Sequence, residues 1–241
     1  MGDEIMVLLP NLSQTLQIND PEERHLLGNV TWEQYEALLT DFGDDPHYRI
    51  TYLDGTLEIM SPGRKHEITT ESIGRLLEAY LEENRIKFWG LGSTTFRRQD
   101  KGSGTEPDKS YCIGSEKELP DLAIEVVVTS GQTPSGFPVA HGGNPQDRAV
   151  SPRHLRAQGN ADQESGGINK LTIYQYLGIP EVWFFQQNGF EVWQLQLGSY
   201  QRIFQSQLLP NLDLEQLAEY AIKPDHLDAL IEYRQRIRSV L

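Results

Sequence analysis

Apolar positions along the chain change period several times, and each change marks an element. Thr31 followed by Gln34 is a capping-box signature and predicts a helix over TWEQYEALLTDF. Two alternating runs, YRITYL and TLEIMS, flank Asp54-Gly55, the dipeptide that most favours a hairpin turn. From about His66 to Asn84, residues Ile73, Leu76, Leu77, Tyr80 and Leu81 fall on one helical face. Three strand-like segments follow: IKFWGLGSTTFRR, TEPDKSYCI and DLAIEVVV. The last is apolar at nearly every position, as expected of a central strand covered on both faces.

Periodicity is lost between about residues 130 and 167, a tract rich in Gly, Pro, Gln, Asn and Ser that reads as a long, mobile inserted loop. Its Arg148, Arg153 and Arg156 either touch phosphate or belong to a solvated loop. INKLTIYQYL then predicts a short helix stopped by Gly178 and Pro180. EVWFFQQ and FEVWQLQL pair about Asn188-Gly189, a strand follows near YQRIF, and two helices near LDLEQLAEY and DHLDALIEYRQRI end the sequence. No internal repeat is visible. This order predicts an α/β fold, a mixed central sheet with helices on both sides. Residues 1–28 read as a peripheral N-terminal segment, 29–210 as the main domain, and 211–241 as C-terminal helices packed on it.

Carboxylates give the core strands their chemistry. Glu125 sits among Ile124, Val126, Val127 and Val128, where a charge is costly without a partner. Alternation puts Asp121, Ala123, Glu125 and Val127 on one face. Asp108 follows Pro107, which cannot donate to a ladder and marks a strand start or an edge. If TEPDKSY lies beside DLAIEVVV, Asp108 and Glu125 converge on a hard oxygen site suited to Mg²⁺. Lys170, near the start of the next helix, is the candidate for a supporting positive charge, the alternative being an exposed lysine that opens a helix.

Those residues, taken with the blocks YLDGTLEIMSPGRKHE, EPDKSY, PDLAIEVVVTS and KLTIYQYLGIPEVWFF, resemble the core of a PD-(D/E)XK nuclease. More specifically they resemble the Uma-two family of restriction endonucleases, over about Thr31 to Leu195. The resemblance implies a restriction-endonuclease-like fold and Mg²⁺-dependent phosphodiester hydrolysis, with Mn²⁺ as a substitute. It implies Asp108 and Glu125 as metal ligands, Lys170 as the catalytic lysine, and DNA as partner. Glu67, at the start of the long helix, holds the place of an acid that supports the metal in the superfamily, although an acid there also suits the helix dipole. His66 beside it is weighed the same way. Two departures stand out: Val127 occupies the position two after the acid where the superfamily has lysine, and the tract before Lys170 is longer than the family usually carries. Asp121, about 13 Å along the strand from Glu125, reads as a strand-start residue. Tyr111 reads as packing and Cys112, the lone cysteine, as a small core residue.

Charge cuts against a polyanionic partner. The net charge of the 241 residues is −14, but residues 1–60 hold 12 acids against Arg24 and Arg49. The acidity is thus concentrated in the N-terminal quarter. Two rival readings follow: a catalytically silent nuclease-fold module that binds DNA or a protein partner, and an enzyme acting on another phosphorylated substrate. No apolar run suits a membrane span, and the acidic N-terminus suits no signal peptide, so a cytoplasmic location is expected. The amphipathic C-terminal helices (Leu227, Leu230, Ile231, Ile237) suit either a homodimer interface or a cover for the sheet.

Overall fold

The computed structural model describes residues 24–42, 47–127 and 167–240. Five helices and eleven strands form among them, in two sheets. The first sheet is antiparallel, in the order β1 (Arg24–Leu27), β3 (Thr56–Met60), β2 (Arg49–Leu53), β6 (Ser103–Thr105), β5 (Phe96–Arg98). The second is mixed: β11 (Ser199–Ile203), β10 (Gly189–Gln196), β9 (Glu181–Gln186), β8 (Leu122–Val126), β7 (Lys109–Ile113), β4 (Phe88–Gly90). This is the mixed α/β architecture of a restriction-endonuclease-like fold, with the strands divided between two sheets rather than gathered in one.

The division has a local cause. IKFWGLGSTTFRR and TEPDKSYCI each read as one strand, yet each breaks and contributes to both sheets. In the second segment the break falls at Glu106-Pro107-Asp108, where proline offers no N–H to continue a ladder. The chain changes sheets there, and Asp108 sits at the crossing. Arg24–Leu27, placed by the sequence in a peripheral segment, instead forms an edge strand antiparallel to β3.

Local signals otherwise act as expected. Thr31 N donates to Gln34 Oε1 (2.8 Å) and Gln34 N to Thr31 Oγ1 (3.3 Å), closing the capping box of α1 (Trp32–Phe42). Asp54 and Gly55 turn the β2–β3 hairpin at φ 45° and 84°, a left-handed pair that a glycine at the second position makes cheap. Helix α1 covers the antiparallel sheet through Tyr35, Leu38 and Phe42.

On one face of the mixed sheet, α2 (Arg64–Glu83), α4 (Leu214–Ala221) and α5 (His226–Arg238) pack together. Ile73, Leu77 and Tyr80 there meet Leu122, Ile124 and Val126 of β8. The C-terminal helices therefore cover the sheet. The opposite face carries Ala123 and holds α3 (Lys170–Leu177), which also touches β5 and β6. Strands β8 and β9 are parallel neighbours, so the chain between them must cross over the sheet, and α3 lies on that crossover. The inserted tract up to residue 166, with Arg148, Arg153 and Arg156, lies outside the described residues.

Candidate functional site

Strand register brings the two carboxylates together. Strand β7 pairs with β8 through Lys109↔Ile124 and Ser110↔Ala123, and the same register carried one residue further sets Asp108 opposite Glu125. Both line one cleft between the sheets and both are buried, at 5 % and 8 % exposure. Asp108 Oδ2 accepts from the Val126 backbone N–H at 2.7 Å and from His66 Nε2 at 3.0 Å. It is thereby fixed between β8 and the first turn of α2.

Helix α3 supplies the other half. The Asn169 side chain caps it, accepting from Leu171 N and Thr172 N. Lys170 and Tyr174 follow at i and i+4 and so share a face. Lys170 Nζ lies 3.1 Å from Glu125 Oε1 and donates to Thr105 Oγ1 at 2.9 Å, and Thr105 in turn meets Thr51 Oγ1 at 3.1 Å. The Tyr174 hydroxyl also donates to Glu125 Oε1. The long tract before α3 has not carried Lys170 out of reach of Glu125.

Electrostatics separate the two acids. Burial pushes Asp108 up, but the His66 hydrogen bond and charge, the Val126 N–H and Lys170 together bring it below the usual carboxylate value. Burial dominates at Glu125, and with the Asp108 charge it raises that group despite Lys170 and Tyr174. Burial and the neighbouring Glu125 hold the Tyr174 phenol well above its usual value, so it remains a donor.

A third buried acid anchors α3. Glu58 Oε2 accepts from Ile168 N at 2.9 Å and Glu58 Oε1 from Arg24 Nη1 at 3.2 Å. Gly167 passes so close that a Cβ there would lie 2.1 Å from Glu58 Oε2. A larger residue there would have to displace Glu58 or the backbone, and the Ile168 N–H bond to Glu58 holds the chain immediately before Lys170.

Asp108, Glu125 and Lys170 thus meet, as the sequence expects. Glu67 stands apart from the cleft lining: its side chain is 42 % exposed and lies 3.5 Å from Arg49 Nη2. Asp121 accepts from Ile113 N (2.8 Å) and Lys117 Nζ (2.6 Å), which fixes the start of β8. Tyr111 is buried and donates to Glu78, and Cys112 is fully buried. Sequence reading passed over Tyr174, although its i+4 spacing from Lys170 was a usable signal. Thr51, Thr105, Glu58 and Arg24 carried none, because only the folding of one sheet against the other brings them here.

Among the described residues, no group of three or more His, Cys, Asp or Glu side chains is arranged to hold a metal ion. The pair is nevertheless suited to one of a particular kind. Each carboxylate spends one oxygen on fixed partners, and among the described residues Asp108 Oδ1 and Glu125 Oε2 accept no hydrogen bond. Two open carboxylate oxygens fit Mg²⁺, which is commonly held by one or two carboxylates with waters and substrate phosphate completing its shell.

No helix among the described residues is long and apolar enough to cross a membrane. Comparison with curated proteins finds no match. A family model, Uma2, described as "Putative restriction endonuclease", matches residues 32–223. That span runs from the start of α1 past the end of α4 and contains Asp108, Glu125, Lys170, His66 and Tyr174. With most of the sequence and every element of the cleft except β1 inside the match, the chain belongs to the Uma2 family, of the PD-(D/E)XK-like nucleases.

Proposed function

We propose that this protein is a Mg²⁺-dependent endonuclease that hydrolyses phosphodiester bonds in DNA, with Mn²⁺ able to substitute. The observation that carries the reading is the pair of half-open buried carboxylates beside a lysine. Asp108 Oδ1 and Glu125 Oε2 would hold the ion, which when bound supplies positive charge against the phosphoryl oxygens and acidifies water. The chain's own groups do the positioning. His66 and the Val126 N–H fix Asp108, and Tyr174 and Lys170 fix Glu125, so neither carboxylate needs to reorganise. An ammonium has three hydrogens, and Lys170 directs two at Glu125 and Thr105. The third is available to a substrate oxygen, where developing negative charge makes it count most.

The direct test is cleavage of supercoiled and linear DNA by purified protein with Mg²⁺ or Mn²⁺. Asp108→Ala, Glu125→Ala and Lys170→Ala are assayed alongside. Metal-dependent cutting that all three substitutions remove is the expected result. A second reading, the silent nuclease-fold module, is favoured by the net charge of −14. A folded wild type that binds DNA at low salt and never cuts it, or nucleotides tested beside it, decides for that reading.

A further inference from the structure

Strand β1 reaches the cleft from outside the span of the family match, and apolar burial accounts for little of it. None of its four residues is buried: Leu26 is exposed, and Leu27 is only partly packed against the core beneath α1. What the strand brings to the cleft wall is the Arg24 guanidinium. Register decides where that group goes. Arg24 stands opposite Met60 and Leu26 opposite Glu58, so Arg24 is the diagonal neighbour of Glu58 on one face of the sheet.

Glu58 needs this cation. It is 3 % exposed, and among the described residues Arg24, 3.2 Å from Oε1, is the one base paired with it. Removing one member of a buried pair leaves an uncompensated charge, which must then take up a proton or swing toward water. Either change withdraws the other oxygen, Oε2, from the Ile168 N–H that it accepts at 2.9 Å. From Ile168 the chain passes through Asn169, whose side chain caps α3, directly into Lys170. The body of α3 is held by Leu171, Ile173, Tyr174 and Leu177 in the apolar core, but Lys170 stands before them. The route from Arg24 through Glu58 to Ile168 is therefore the polar hold on the chain entering Lys170, whose Nζ lies 3.1 Å from Glu125.

We propose that Arg24 is a positioning residue that, through Glu58 and the Ile168 N–H, holds Lys170 against Glu125. Its effect on cutting rests on the nuclease reading, whereas its hold on α3 does not. Misplacing a reacting group by 1 Å costs up to about 10²-fold in rate, so an edge strand with no buried residue still bears on the chemistry.

The test reads amide hydrogen exchange by NMR in full-length wild type, Arg24→Gln, Arg24→Lys and Glu58→Gln, without metal or DNA and well below each melting temperature. Ile168 in Arg24→Gln should exchange roughly tenfold faster, the factor set by one hydrogen bond to a charged group. Leu77 and Phe184, in the two apolar cores, should keep their rates, and Arg24→Lys should restore Ile168 toward wild type. Unchanged protection of Ile168, or a rise shared equally by Leu77 and Phe184, overturns the proposal. Should Arg24→Gln fail to fold, Glu58→Gln carries the test. It should expose Ile168 to faster exchange, and adding Arg24→Gln to it should change nothing more. Wild-type protection in Glu58→Gln, or a further change on removing Arg24, overturns the route through Glu58. Cutting at saturating Mg²⁺ is measured in parallel and should slow in Arg24→Gln. A wild type that never cuts refutes the nuclease reading alone. A variant that loosens Ile168 yet cuts at the wild-type rate refutes the link to Lys170 alone.

Discussion

Glu125 on β8 and Glu181 on the parallel strand β9 are both buried, and the structure treats them in opposite ways. Glu181 Oε1 accepts from Trp183 Nε1 and Ser206 Oγ, each at 2.6 Å, and Oε2 from Gln207 N and Leu208 N at 2.9 and 3.4 Å. Both oxygens are satisfied, and the carboxylate fastens the segment after β11 to the sheet. Glu125 commits Oε1 to Tyr174 and Lys170, and among the described residues Oε2 accepts no hydrogen bond. Glu58 resembles Glu181, with each oxygen taken. Burial of a carboxylate therefore does not mark a site in this fold. On the proposed function an unspent oxygen does, and of Glu58, Asp108 and Glu181 only Asp108 shares that trait with Glu125.

The sharpest way to break this comparison is to neutralise each glutamate. Glu125→Gln is expected to lower DNA cutting by roughly 10²- to 10³-fold, the usual cost of losing a group that organises transition-state charge. Its stability should hold or rise near neutral pH. The folded-state value of Glu125 is raised, so its contribution to folding is present below the unfolded value and lost as pH climbs through the folded one. A neutral side chain escapes that loss. Glu181→Gln should do the reverse, costing about 3 kcal/mol in chemical denaturation through broken charge-assisted hydrogen bonds, while folded molecules keep their cutting rate.

Gly167→Ala probes the Glu58 anchor. A methyl group cannot sit 2.1 Å from Glu58 Oε2, so either the Glu58 carboxylate leaves Arg24 and the Ile168 N–H or the start of α3 moves and Lys170 with it. A loss of about 1–3 kcal/mol in thermal melting is expected, with slower cutting. A smaller effect is expected from Tyr174→Phe, about 1 kcal/mol of stability, because Lys170 still meets Glu125. Its cutting rate should fall less than that of Glu125→Gln.

The least effect is expected far from the cleft, where Glu83 on α2 meets Arg234 and Arg238 of α5. Hydrogen bonds from Arg238 and then Arg234 lower Glu83 to about 2. The stability it lends is present above the unfolded carboxylate value and is lost as pH falls toward about 2. Melting curves across acid pH should show a shallower decline in Glu83→Gln than in wild type, with cutting at neutral pH unchanged.

Much of this was legible because the signals are local. The Thr31–Gln34 box, the Asp54-Gly55 turn and the apolar stripe of α2 each act over a few residues, and each element formed where its signal lies. The apolar run around Glu125 announced a central strand with one awkward charge, and Pro107 announced a break before Asp108. What the break did was not local. Whether β6 and β7 continue one sheet or divide between two depends on which strands pair far along the chain, Ser103 with Leu53 and Lys109 with Ile124. The same holds for β1, whose four residues gain their strand character from β3. Arg24, Thr51, Glu58 and Thr105 belong to the antiparallel sheet, and they reach the carboxylates of the other sheet only through tertiary packing.

On the proposed function, open carboxylate oxygens, rather than buried carboxylates as such, hold the divalent cation. Calorimetric titration of Mg²⁺ and Mn²⁺ into wild type, Glu125→Gln and Glu181→Gln tests it most directly. Wild type and Glu181→Gln should bind the ion alike, and Glu125→Gln should lose it. Equal binding by all three proteins, or none by a folded wild type, would contradict the account.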